Sequence, residues 1–105
     1  MRELKQEQFD EIINNSEKPV LVDFFATWCG PCKAMHPILE SVEESETGLK
    51  YDFYQVDVDQ APELSQRFGI MAVPTLAIFK DGDLLYKQAG VHQAPQLEQL
   101  LKDNL

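Results

Sequence analysis

The two cysteines of the chain, Cys29 and Cys32, flank a Gly-Pro dipeptide beside its one tryptophan, in Trp28-Cys29-Gly30-Pro31-Cys32-Lys33. Three chemistries use such a spacing: a structural staple, a metal clamp and a redox pair. As a staple the pair does little, because a bridge over so short a loop removes little entropy from the unfolded chain. Two cysteines also fall short of the disulfide frameworks that hold small secreted folds together. As a clamp the pair needs help. His36 lies four residues beyond Cys32, on the same side of a helix, which makes Cys29, Cys32 and His36 a three-donor set that a second chain would have to complete around zinc or an iron–sulfur cluster. A redox pair asks instead for one cysteine held ready as a thiolate and a second in reach of it.

The flanking segments supply that arrangement. Pro19 to Phe25 is short, β-branched, aromatic and almost wholly apolar, which predicts a central strand buried on both faces. After the cysteines, Met35, Ile38, Leu39 and Val42 repeat at helical spacing and predict a helix running to about Thr47-Gly48. Pro31 belongs in its first turn, where a missing N–H costs nothing. Cys29 is therefore expected at the helix N-terminus, where free amides and the positive end of the dipole favour a thiolate. Cys32, one turn in, is expected to be more shielded. Cys29 would then attack a disulfide, and Cys32 would attack Cys29 to resolve the mixed disulfide. One residue in the buried strand is out of place: Asp23 is surrounded by apolar neighbours, so desolvation should raise its pKa and let it exchange a proton with a thiol near neutrality.

Around these segments the pattern is an alternation of strands and helices. Phe9, Ile12 and Ile13 mark a first helix ending near Asn14 to Ser16. Tyr51 to Val58 reads as a strand, and Pro62 to Gly69 as a short helix opened by proline and closed by glycine. Thr75 to Phe79, the turn Asp81-Gly82 and Leu84 to Tyr86 predict a β-hairpin. Leu97, Leu100 and Leu101 predict a closing amphipathic helix after Pro95. With 105 residues, 44% of them hydrophobic, the chain suits one domain, residues 1–105, that buries roughly 65% of the surface its unfolded form exposes.

Nine basic against eighteen acidic residues give a net charge of −9, and the field of such a chain repels phosphate backbones and anionic lipid headgroups. Neither nucleic acid nor membrane is an expected partner. Met1 to Gln6 lacks the apolar core of a signal peptide, and no apolar run approaches the roughly 20 residues of a membrane span. The expectation is a cytoplasmic monomer.

The segment Trp28-Cys29-Gly30-Pro31-Cys32-Lys33 after Val22-Asp23-Phe24, with Val73-Pro74-Thr75 downstream and Gly90 later, resembles the thioredoxin family over essentially the whole chain. That resemblance implies an α/β thioredoxin fold, three layers α/β/α, with a central mixed sheet of four to five strands and four flanking helices. It implies a general protein-disulfide reductase acting by dithiol–disulfide exchange, with no cofactor beyond the redox-active Cys29–Cys32 disulfide. Its partners would be a flavoprotein thioredoxin reductase and disulfide-containing client proteins. Gly-Pro between the cysteines is similar to reductases rather than to oxidases or isomerases of this type. By resemblance, Asp23 exchanges its proton with Cys32, and Pro74 is cis, against a base rate of only about 5–6% for X-Pro bonds. The backbone of Val73 would then pair with an extended client segment, with Trp28, Gly30, Pro31, Ala72, Val73, Gly90 and Val91 as an apolar rim. The same rim would serve a redox-independent interaction or holdase subunit, an alternative that the sequence leaves standing.

The chain also departs from the commoner family pattern. Gln55 stands where a lysine often faces the buried aspartate, so Asp23 should have a higher pKa than in lysine-bearing relatives. Phe25 replaces a second tryptophan, and Met71-Ala72 replaces an Arg-Gly pair.

Overall fold

In the computed structural model, which describes residues 1–105, strand β2 (Val20–Phe25) lies at the centre of the sheet and sends alternate side chains to opposite faces. Val20, Val22 and Phe24 meet Phe9 and Ile13 of α1 (Phe9–Asn15) and Leu64 of α3 (Pro62–Arg67) on one side. Leu21 shares the other side with Met35, Leu39 and Val42 of α2 (Gly30–Glu43) and with Leu97 and Leu101 of α4 (Ala94–Asp103). Both faces of the strand are therefore covered, which is why β2 is apolar at nearly every position. The outcome is the expected three-layer α/β/α arrangement with four flanking helices.

The sheet has five strands in the order β1-β3-β2-β4-β5, with β1 at Arg2–Glu3, β3 at Asp52–Asp57, β4 at Thr75–Lys80 and β5 at Asp83–Ala89. β1 and β2 run parallel to β3, while β4 is antiparallel to β2 and β5 to β4. Because β2 and β3 are parallel neighbours, the chain must cross over between them, and α2 makes that crossing. This topology puts the end of β2 and the start of α2, and hence both cysteines, at the carboxyl end of the central strand. In the β4–β5 turn, Asp81 and Gly82 both have positive φ, 53° and 83°, as a tight hairpin of this twist requires.

Two expectations are corrected. α2 stops at Glu43 rather than at Thr47-Gly48, because Ser45 Oγ donates to Val42 O at 2.6 Å and accepts from Gly48 N–H at 3.1 Å, which closes the helix with a turn. Gly48 packs so tightly there that a Cβ would overlap Val42 O. β5 is longer than Leu84 to Tyr86, and it is mostly exposed. The sheet also gains a short first strand, β1, for which the sequence carries no signal.

Candidate active site

β2 and α2 bring the cysteines to the position that their spacing predicts. Cys29 is the N-cap of α2, with extended backbone, and Pro31 sits in the first turn. The two cysteines form a disulfide with Cα atoms 5.3 Å apart. Cys32 N–H donates to Cys29 Sγ at 3.1 Å, so a backbone donor already points at the sulfur on which negative charge would develop after reduction. Cys29 Sγ also lies 3.6 Å from Val73 O. The expected difference in shielding does not hold for the bridged pair: Cys29 is 3% exposed and Cys32 5%, because Val73 packs over the cystine. The asymmetry lies in the neighbours, with Cys29 Sγ facing an amide and a carbonyl of the groove, and Cys32 lining a cleft behind it.

That cleft, about 300 Å³, is lined by Asp23 as well as by Cys32, Lys33, His36 and Gln55. Asp23 is 2% exposed, and no protein group donates to its Oδ1. Burial pushes its pKa from 3.8 up to about 7, the direction expected for a carboxyl without a compensating cation. Gln55 is the in-register neighbour of Asp23 on β3 and adds no charge. His36 Nε2 lies 3.5 Å from Glu40 Oε2, one turn further along α2, and no three His, Cys, Asp or Glu side chains gather into a metal-holding group.

On the other side of the disulfide lies the groove. The Val73–Pro74 peptide is cis, as the resemblance implied and the base rate did not. Pro74 is buried, and its carbonyl accepts from Gly90 N–H at 2.9 Å. Thr75 Oγ1 donates to Ala72 O at 2.7 Å, steadying the approach to the proline. Trp28, Val58, Ile70, Met71, Ala72 and Val73 line an apolar depression of about 140 Å³. Trp28 is 69% exposed and Met71 96%, so neither serves as core. Gly30 and Pro31 are exposed beside Cys29, and Val91 is exposed next to Gly90. Of the predicted rim, Trp28, Ala72 and Val73 meet in this depression, and Gly90 is tied by its N–H to Pro74 beside it.

Two residues with structural consequences here were not anticipated. Trp28 Nε1–H donates to Asp59 Oδ2 at 2.8 Å, and Asp59 N–H is in turn held by Asp57 Oδ1 at 3.0 Å. No periodicity marks Asp59, since it lies in a turn after β3. His92, which is 2% exposed, is far from the cysteines in sequence. Its burial between Tyr86 and Gly90 follows from the hairpin, which returns the chain to the groove.

The thioredoxin family model matches residues 1–103. A thioredoxin-like protein of Synechocystis is 45% identical over 94 residues, covering 90% of this chain and 89% of that one. Thioredoxin Y2, chloroplastic, of Arabidopsis thaliana is 42% identical over 97 residues, 92% of this chain, which spans only 58% of that relative's length. Among solved structures, the thioredoxin of Malassezia sympodialis superposes with a TM-score of 0.86 at 34% identity, covering 97% of this chain and 90% of that one.

Proposed function

The chain belongs to the thioredoxin family of thiol–disulfide oxidoreductases, and from that premise we propose a division of labour for its dithiol–disulfide reduction in which Cys29 attacks, Cys32 resolves and Asp23 carries the proton. The observation that carries the proposal is the placement of the cystine, with Cys29 Sγ receiving the Cys32 amide in the first turn of α2 and Cys32 lining the cleft of Asp23.

In the reduced chain the Cys29 thiolate attacks one sulfur of a client disulfide. An S–S bond forms between Cys29 and the client, the client's own S–S bond breaks, and the other client sulfur leaves as a thiolate. Cys32 passes its proton to the Asp23 carboxylate, directly or through one water, and its thiolate attacks Cys29 Sγ. The mixed disulfide breaks, the second client sulfur leaves, and Cys29–Cys32 closes. Two electrons have moved from the chain to the client, and the proton on Asp23 returns to solvent. A carboxyl with a pKa of about 7 accepts and releases a proton at neutral pH without a large free-energy step in either direction.

The rim supports client recognition through Trp28, Gly30, Pro31, Ala72, Val73, Pro74, Gly90 and Val91. Val73 presents backbone groups for an extended segment, which makes recognition tolerant of client sequence, and the exposed apolar side chains fit a transient docking face. The residues 1–105 work as one domain, a monomer whose electrons come from thioredoxin reductase. The cytoplasm is the proposed compartment. No helix is long and apolar enough to cross a membrane.

Trapping tests the assignment. With Cys32→Ser, a disulfide-bonded client should remain attached to Cys29 as a stable mixed disulfide, whereas Cys29→Ser should trap none. Equal trapping by both variants, or trapping through Cys32 alone, would reverse the roles.

A further inference from the structure

His92 is a buried, polar residue that the exchange chemistry leaves unused, and its contacts lead to the groove. The ring touches two groups: Nδ1 lies 2.9 Å from Gly90 O and Nε2 lies 3.1 Å from Tyr86 Oη. Its backbone N–H donates to Met35 Sδ at 3.3 Å, so the residue joins β5, the Gly90 turn and α2. A carbonyl oxygen only accepts, so Nδ1 must carry the ring proton. In the neutral ring Nε2 is then an acceptor, and Tyr86 donates to it. For the neutral ring the directions then run in series: Tyr86 Oη–H to His92 Nε2, His92 Nδ1–H to Gly90 O, and Gly90 N–H to Pro74 O at 2.9 Å.

Gly90 is the residue on which this series acts. Its φ is +106°, a region that favours glycine, and no atom lies within 4 Å of where a Cβ would stand. Backbone conformation, and not lack of space, is therefore what calls for glycine here. Such a residue is the most mobile in a chain unless it is held. Here the peptide units on both sides of its Cα are held, one by Pro74 and one by His92. A trans peptide carries its N–H opposite its C=O. With Gly90 O turned inward to the imidazole, Val91 N–H turns the other way, at an exposed residue of the rim.

We propose that His92, in its Nδ1–H form and braced by Tyr86, is a positioning residue that pre-organises the Gly90–Val91 wall of the client groove. Rigidity established before binding does not have to be imposed by the client, and the effect therefore falls on docking more than on sulfur exchange. The proposal rests on the reductase reading given above. The test is chosen so that the two can fail separately.

The first readout needs no client. Nitrogen-15 spectra of the imidazole of the intact chain should place the proton on Nδ1, and a proton on Nε2 overturns the proposal. The second is saturation kinetics of insulin reduction with dithiothreitol as the electron source. Replacing His92 with leucine keeps the pocket filled but removes both ring bonds, and KM should rise about 3- to 10-fold with kcat held within about twofold. His92→Asn, whose amide nitrogen can take the place of Nδ1, should bring KM back to within about twofold of the parent chain. A leucine variant with unaltered KM, or an asparagine variant no better than leucine, reduces His92 to packing and overturns the proposal. Insulin left intact by the unaltered chain would instead sink the reductase reading, with the tautomer still testing the hydrogen-bond series.

Discussion

Replacing Asp23 with asparagine separates burial from charge, because the side chain keeps its shape and loses its titration. The carboxyl is 2% exposed, and burial pushes its pKa from 3.8 to about 7. Between those two values the folded chain holds a proton that the unfolded chain has released. Stability from this group is therefore complete below about pH 4, falls as pH rises, and levels off above about pH 7. The gap between 3.8 and about 7, at about 1.4 kcal/mol per pH unit, comes to about 4 kcal/mol. Urea unfolding of the oxidised chain and of Asp23→Asn, followed by Trp28 fluorescence across about pH 4 to 9, should give a stability difference that grows by about 4 kcal/mol in favour of the variant, with most of the change before pH 7. Other ionisations enter both proteins alike and cancel. The same variant, once reduced, should form mixed disulfides yet release client about 10²-fold more slowly at neutral pH. A stability difference that does not vary with pH would refute the reasoning, because it would mean that Asp23 titrates alike in the folded and unfolded chains.

Further expectations follow from the groove and the core. Met71→Glu adds a carboxylate at a 96% exposed rim position of a chain with net charge −9, and KM for an acidic client should rise about fivefold, an effect that added salt should diminish. Asp59→Ala removes the acceptor of Trp28 Nε1–H. The indole emission of the oxidised chain should shift, whereas an unchanged spectrum would mean that solvent already competes for this bond. Tyr51 Oη donates to Leu101 O at 2.6 Å, with burial pushing the phenol pKa up to about 12, so Tyr51→Phe should cost about 1–2 kcal/mol in denaturant unfolding. Gly48→Ala forces a Cβ onto Val42 O and should cost about 1–3 kcal/mol by the same measurement; a smaller loss would mean that the turn after α2 yields easily.

What was legible in the sequence was whatever burial writes into it. β2 is covered on both faces, so its apolar run announces both the strand and the anomaly of Asp23. The stripe of Met35, Leu39 and Val42 announces α2, and its start at the cysteines follows from Pro31. β1 left no trace because Arg2 and Glu3 are exposed and join the sheet through their backbones. The length of β5 was hidden for the same reason, as an exposed edge strand carries no alternation to read. The end of α2 depended on one hydroxyl, that of Ser45, caught between Val42 and Gly48. Of the groove, the residues were legible through family resemblance, whereas Asp59 and His92 were not. Each acts through contacts between segments far apart in sequence or joined by a turn, and no periodicity encodes such contacts. The cover of Val73 over Cys29 likewise belongs to the cis-proline loop and not to the helix that carries the cysteine.

The measurement that tests the central claim most directly is the equilibrium of the Cys29/Cys32 couple with a glutathione redox buffer, read by thiol trapping. A dithiol reductase requires a potential well below that of glutathione, so that the pair stays largely oxidised until the buffer is strongly reducing. A potential above that of glutathione would contradict the account and make the chain an oxidant or isomerase built on the same fold.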